Sequence, residues 1–541
     1  MLSSKLFLEG QFSRKGMATD DTGAQFTDLV KGTLMFDRSR GSARFNSPTF
    51  CAVCGSGWHE ERNNWDWFVK MNYFLSTSSA GSHSLVFGFD NFKETRKVDN
   101  YQGGSGYRVY VTKTYIGDDA ARTIYPVVDG SSYVQYTPLV AHSVGSDIRT
   151  FSGFVNDQWR LSNKLSFNLG FRIDVNRSKD QGGVPVLADQ QWSPRLGASY
   201  DIKGDGKWIA NAGFARYVMG VNGAVVDSGS QGGRTASYSW TYAGPKLNTT
   251  CTPPNCLTAA DLLPQVFNWF AGVGGPMPPN YVISNTTFRS APSIPGITTH
   301  VSNQTTAPSS DEITLGLAHE VGKLGTVRVD YTHRRYHDMY GSYIDTTTGK
   351  VTDPTGRSYD AEIIKNTPDA QRWYNAMTVS ANLHLTNAFA LGGNYTLAYS
   401  KGNNDGENVG SGPIMASIND QPEYRQQAWN WPDGYMMNDQ RHKARIYATY
   451  LLPIRRNFGT FTFGAIERVN TGTPYDIGFS VNPTADVTNP GYLAPPTSVT
   501  YYIDGRGPLR VDTMCATDLS LVWTKKVHGD RSNEAGRASS T

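Results

Sequence analysis

Five cysteines, a basic stretch around His337 and a few loop aromatics are the residues of this 541-residue chain whose types and spacing could do chemistry. Cys51 and Cys54 form a C-x-x-C, Cys251 and Cys256 a second close pair, and Cys515 stands alone. Both pairs fall in polar, Gly/Pro/Asn-rich segments and read as loop disulfides of an oxidising compartment. A redox C-x-x-C expects a helix start inside a βαβ unit, which "CAVCGSGWHEERNN" does not offer, and zinc would need two further ligands where His59 supplies one. In "RRYHDMYGSY", a metal or acid–base reading needs His337 and Asp338 together, yet neighbours on a strand point to opposite faces. That stretch, with Arg334 and Arg335, reads instead as an interfacial collar with Tyr336 and Tyr340 as girdle aromatics. "GNNDGEN" offers Asp405 and Glu407 without EF-hand spacing, and no helix follows "GDG" at Gly204 to Gly206, so these read as a polar loop and a turn. No nucleophile elbow with a partnered His is visible, so neither a catalytic site nor a cofactor is expected and the chain does not read as an enzyme. For ligand contact there remain Trp240 and Tyr242 in "SYSWTYAGP" and Trp269 and Phe270 in "VFNWFAG", exposed-loop aromatics suited to stacking on a sugar ring or an aromatic ligand.

The elements that would position these residues are strands. In "LSNKLSFNLGFRIDVN", Leu165, Phe167, Leu169, Phe171, Ile173 and Val175 alternate with Ser166, Asn168, Gly170, Arg172 and Asp174, giving one greasy face and one polar face. Such stretches recur in pairs joined by short polar turns, as antiparallel hairpins are. Between pairs the connections are long: 179–191, 221–309, 341–371, 402–440 and 471–512. Short and long connections alternate, so the long ones collect at one end of an up-and-down sheet, the pattern of outer-membrane barrels with short periplasmic turns and long extracellular loops. About twelve residues per strand at ~3.3 Å rise span roughly 28 Å when tilted ~45°, enough for an apolar band of ~25 Å. Arg172, Asp174, Arg195, Arg328, Asp330, Lys443 and Arg445 then line a wet interior, and the greasy rows face outer-membrane lipid. Charged residues are 18% of the chain against 55 Gly, 29 Tyr, 24 Phe and 12 Trp, a composition of strands and turns. A net charge of +3 without a dense basic run gives no sign of a nucleic-acid partner, and no apolar run is long enough for a membrane helix.

Four segments, "NDQWRLSNKLSFNLGFRID", "WSPRLGASYD", "GDGKWIANAGFARY" and "NTGTPY", resemble the barrel of Oar-like TonB-dependent outer-membrane transporters, the first three in that family's order and at about its spacing. The segment from Asp66 to Tyr110 is similar to the family's mid-barrel region. The resemblance implies a large antiparallel barrel around an N-terminal plug, and uptake of a bulky extracellular ligand powered through the TonB complex. These residues show no signal peptide, TonB box or plug domain, and the chain ends at Thr541 where such barrels commonly end in an aromatic. The expectation is therefore an all-β, partial transmembrane barrel of about fifteen strands, fewer than the ~22 of a plugged transporter and truncated at both ends. It would span residues 1–526, with 527–541 an unstructured tail. The rival readings are an adhesion or scaffold barrel that binds a partner through its loops, and a soluble secreted carbohydrate-binding β protein.

Overall fold

The computed structural model describes residues 5–20, 26–47, 59–346, 350–352, 356–404, 421–424, 433–453, 458–526 and 532–540. The alternating stretches become one antiparallel meander in chain order. Its strands are β1 (Leu6–Asp20), β2 (His59–Thr77), β3 (Gly81–Lys97), β4 (Ser146–Arg160) and β5 (Leu165–Lys179). The sheet continues through β6 (Pro185–Asp201), β7 (Trp208–Val218), β8 (Ser309–Glu320), β9 (Gly325–His337) and β10 (Arg372–His384). It ends with β11 (Phe389–Gly402), β12 (His442–Pro453), β13 (Thr460–Asn470), β14 (Met514–Lys526) and β15 (Ser532–Ser540). A further two-residue strand, Gly434–Tyr435, pairs with the end of β11, and Gly434 also bridges to Arg506.

Turn chemistry at the short-connection end is explicit. The Asp201 carboxylate accepts from the amides of Gly204 (2.8 Å) and Gly206 (2.7 Å), and both glycines have positive φ, so "GDG" is the β6–β7 turn.

The two faces of the sheet invert the soluble-protein rule. Phe89 (57% exposed), Trp192, Leu196 and Leu315 (each 50%) stand open on one face, while Ser152 (0%), Ser193 (1%) and Asp174 (6%) are enclosed on the other. The apolar rows therefore meet no second sheet, and only a hydrocarbon surround relieves their exposure. Among the acids on the outward rows, Asp157, near the short-turn end, is 2.7 Å from His83, which stacks on Trp159.

Several expectations are corrected. The 179–191 connection is no long loop, because β5 and β6 continue to a turn at 180–184, where Asp180 accepts from the amides of Gly182 and Val184 at 2.9 Å each. Within the segment read as a tail, residues 532–540 pair as β15 with β14, which supplies hydrogen-bond partners along an edge that composition alone left open. The 221–309 connection is not structureless either. It contributes the helix Ala259–Gly272, capped by Thr258, and the strand Tyr238–Thr241. That strand joins Tyr133–Tyr136, Tyr107–Val111, Leu34–Asp37 and Ala43–Phe45 in a five-stranded sheet built from three different connections. Leu262, Leu263, Val266, Phe267 and Phe270 recur at helical spacing and bury against this sheet, forming a cap with its own core.

Candidate functional site

The site has two walls, a polar channel face and the cap above it. On the inward face, Arg172 reaches both oxygens of Asp90 (2.7 and 3.0 Å), Asp174 (2.7 Å) and the Ser152 hydroxyl (2.6 Å), tying β3, β4 and β5 together. Its bidentate fork uses the planar geometry that lysine lacks. Further round, Arg328 meets Asp330 at 2.7 Å, Arg334 meets Glu312, and Arg468 meets Asp518 at 2.7 Å. Arg195 lies 5.3 Å from the ring of Tyr217, and the register puts Lys443 and Arg445 on the same inward face. The charged residues expected inside are there.

The cap is anchored to this wall. Val226 is fully buried against Ile148 of β4 and Val186 of β6, and Asp189 of β6 accepts from the Ala307 amide at 2.7 Å. Next to Val226, Asp227 is 1% exposed and accepts from the Gln181 backbone amide (3.2 Å) and side-chain amide (3.0 Å). Burial pushes its carboxyl up to about 6, against the opposing pull of Arg96, 3.8 Å away, and of Arg234, whose own pKa burial lowers. The sign follows from linkage. A carboxyl with a raised folded pKa stabilises the fold most below its unfolded value near 4, and that contribution is lost as pH climbs through about 6. The cap should therefore resist protease better at pH 5 than at pH 7.5, by about 1.4 kcal/mol of local opening free energy. Asp227→Asn should flatten that dependence; an unchanged pH profile would refute the assignment.

On its other surface the cap carries a ladder of rings and guanidinium groups. Phe36 stacks on Tyr110 (4.4 Å, 8°) and Tyr110 on Tyr133 (4.2 Å, 10°). Arg289 (4.4 Å) and Arg38 (5.7 Å) lie over Tyr133, and Arg44 (5.6 Å) and Arg108 (5.5 Å) over Phe36. Arg38, Arg44 and Arg289 are exposed. Asp37, next to Phe36 in the chain, is 1% exposed and accepts from Thr114 (2.6 Å) and Ser39 (2.7 Å). A guanidinium stacked on a ring directs its N–H edge sideways, which suits carboxylate, sulfate or phosphate groups. The only sequence trace of this face is the alternation in "YRVYV" and "YVQY".

The aromatics chosen from sequence lie elsewhere. Trp240, Tyr242 and Phe270 are not exposed: they are 2%, 1% and 0% accessible and make the cap core, with Trp269 half-buried against Tyr242 at 4.5 Å. The strand and the helix that bear them pack against each other, so their faces are spent on packing. Cys251 and Cys256 are joined by a disulfide just before the helix, Cα atoms 5.4 Å apart, whereas Cys51 and Cys54 lie outside the described residues, as do Asp405 and Glu407. His59 sits between Asp20 (2.6 Å) and Glu61 (3.0 Å). His337 meets Asp311 at 3.2 Å, and Tyr340, expected at the girdle, is 1% exposed among Val225 and Ile364. The sheet Tyr340–Asp345 makes with Ala361–Asn366 draws it inward.

A sheet with a lipid-ready outer face, a charged interior and folded loops at one end is an outer-membrane architecture. Residues 176–507 match the family described as an outer membrane beta barrel domain, and the chain belongs to that family. It is a protein of the outer membrane, with its long loops extracellular and its short turns periplasmic. Over 422 residues it is 26% identical to the TonB-dependent transporter Oar of Myxococcus xanthus, a match covering 75% of this chain and 37% of that protein. The chain thus spans little more than a third of the length of that relative. Among solved structures, the outer membrane transporter YddB from Escherichia coli is similar in fold at TM-score 0.53 and 13% identity, covering 97% of this chain and 55% of its own. The ferric-catecholate import receptor Fiu of E. coli aligns at TM-score 0.43 and 10% identity, covering 96% of this chain and 56% of that one.

Proposed function

We propose that this chain is the barrel portion of a TonB-dependent receptor that takes up a bulky extracellular substrate, its barrel sheet running from β1 to β15. The observation that carries the reading is the pairing of a polar, charge-lined inner wall with a cap whose residues 219–308 reach down onto that wall through Val226 and Ala307. A ligand held by the cap would be delivered to the channel without leaving the protein. The similarity to Oar supports transport, and the ladder of Phe36, Tyr110 and Tyr133 with its exposed arginines offers the contact face for acidic groups on the ligand. Nothing in the reading calls for catalysis.

The rival from another class is an adhesion barrel, which would use the same cap without energy. Cross-linking in living cells separates the two. Immunoprecipitation of the protein from energised cells should recover TonB, and dissipating the proton gradient should reduce that recovery. Surface-exposed protein with no TonB recovered in either state would favour adhesion.

A further inference from the structure

On the outward face of β1 to β5 the strand register assembles a row of basic residues that neither transport nor adhesion needs. Arg14 lies opposite Trp65, Trp65 opposite Lys93, Lys93 opposite Arg149, and Arg149 opposite Arg177. The next row toward the membrane middle on the same face is Phe12, Trp67, Asn91, Phe151 and Val175, the edge of the apolar band. One row outward, Lys179 faces Asp147. All of this is at the long-loop end.

Like charges directly opposite on neighbouring strands have Cβ atoms about 5 Å apart and repel, so a row of this kind is unfavourable without an anion among its members. The described residues supply too few. Asp147 is shared between Lys93 (3.2 Å) and Arg149, which grips it with two bonds (2.9 and 2.8 Å). Among the described residues no acid lies within ion-pair distance of Arg14, Arg177 or Lys179, while Asp20 and Glu61 are taken up by His59. Further round the sheet Arg216 is matched by Asp311 (2.6 Å), which also meets His337 and lies opposite Arg335 in the strand register. Lys93 is held 5.3 Å from the ring of Trp65, at the level where amphipathic rings mark the membrane boundary.

We propose that Arg14, Lys93, Arg149, Arg177 and Lys179 form a binding site for the phosphate groups of an outer-leaflet lipid headgroup, with its acyl chains lying along Phe12, Trp67, Phe151 and Val175. Arginine forks suit phosphate oxygens, and the apolar row one step below gives a lipid a second point of attachment that a free anion cannot use. The site is independent of what the barrel transports.

The test uses the full chain purified from outer membranes into neutral detergent. Native mass spectrometry would follow binding of three probes: bis-phosphorylated lipid A, the same lipid dephosphorylated, and inorganic phosphate. The phosphorylated lipid should bind at least about tenfold more tightly than the dephosphorylated one. R149Q/R177Q/K179Q should remove that preference, R149K/R177K should largely keep it, and millimolar inorganic phosphate should not displace the lipid. Equal affinity for both lipids, an unaltered preference in the triple variant, or displacement by inorganic phosphate would each overturn the proposal. Heat-modifiable gel migration reports whether each variant is folded. Should the triple variant fail there, K179Q, at the exposed end of β5, carries the same readout, and an unchanged preference in it and in R177Q would overturn the site.

Discussion

Leu315→Arg should destabilise the folded protein in lipid vesicles by about 2–4 kcal/mol, and Thr314→Arg, one residue earlier, by less than about 0.5 kcal/mol. Leu315 lies at the middle of β8, half-exposed, between Ala212 of β7 and Tyr331 of β9. A guanidinium there enters hydrocarbon at a depth where no acid of the outward face can meet it, and it is too far from either interface to snorkel cheaply. Thr314 points the other way, into the channel, and its neighbours on that face include Glu312 and Asp330, the partners of Arg334 and Arg328. A new cation there joins an existing charged lattice in water. Urea titration of both variants in vesicles measures the contrast. Equal losses would mean that both faces are enclosed and would remove the basis for placing this sheet in a membrane; two silent substitutions would mean that neither face is.

The sheet was legible because its signal is local. Every residue from Leu165 to Val175 declares its face by its own type, and the strand on each side repeats the pattern, so topology follows from counting short and long connections. The cap was not legible, because its elements are completed by residues far away in sequence. Leu34–Asp37 pairs in parallel with Tyr107–Val111, and Phe36 becomes an aromatic contact only when Tyr110 arrives beside it. The helix Ala259–Gly272 has apolar residues at helical spacing, but Pro264 inside it and the glycines after it interrupt that signal. Loop composition carries no mark of what covers an aromatic, so Trp240 and Tyr242 read as exposed when the neighbouring connections bury them. The same limit applies at the rim. The basic residues of β1 to β5 are scattered along the sequence from Arg14 to Lys179 and become a row only through register.

The second large effect belongs to that buried tryptophan. Trp240→Ala should cost about 3–5 kcal/mol, expressed in the cap alone. The indole donates to the Asn285 carbonyl at 3.0 Å and packs against Phe270 (5.0 Å), Phe288 (5.3 Å) and Tyr238 (6.3 Å). Its removal leaves a large cavity between a strand tied to Tyr133–Tyr136 and a helix fixed by Leu262, Leu263 and Val266, so neither side can move in to fill it. The carbonyl of Asn285 loses its indole donor as well. The main sheet draws its stability from its own ladders and the membrane, so the expected phenotype is split: rapid protease cleavage within 98–145 and 219–308, with normal membrane insertion and unchanged heat-modifiable migration. Trp269→Ala, which opens a half-buried position beside Tyr242, should cost only about 1–2 kcal/mol. The ordering matters more than either value. If these aromatics were a ligand-stacking surface, both substitutions would leave the cap intact, and limited proteolysis would not tell Trp240→Ala from the parent protein. Cleavage confined to the cap, and graded by how deeply each ring is buried, is the result that a packed core requires.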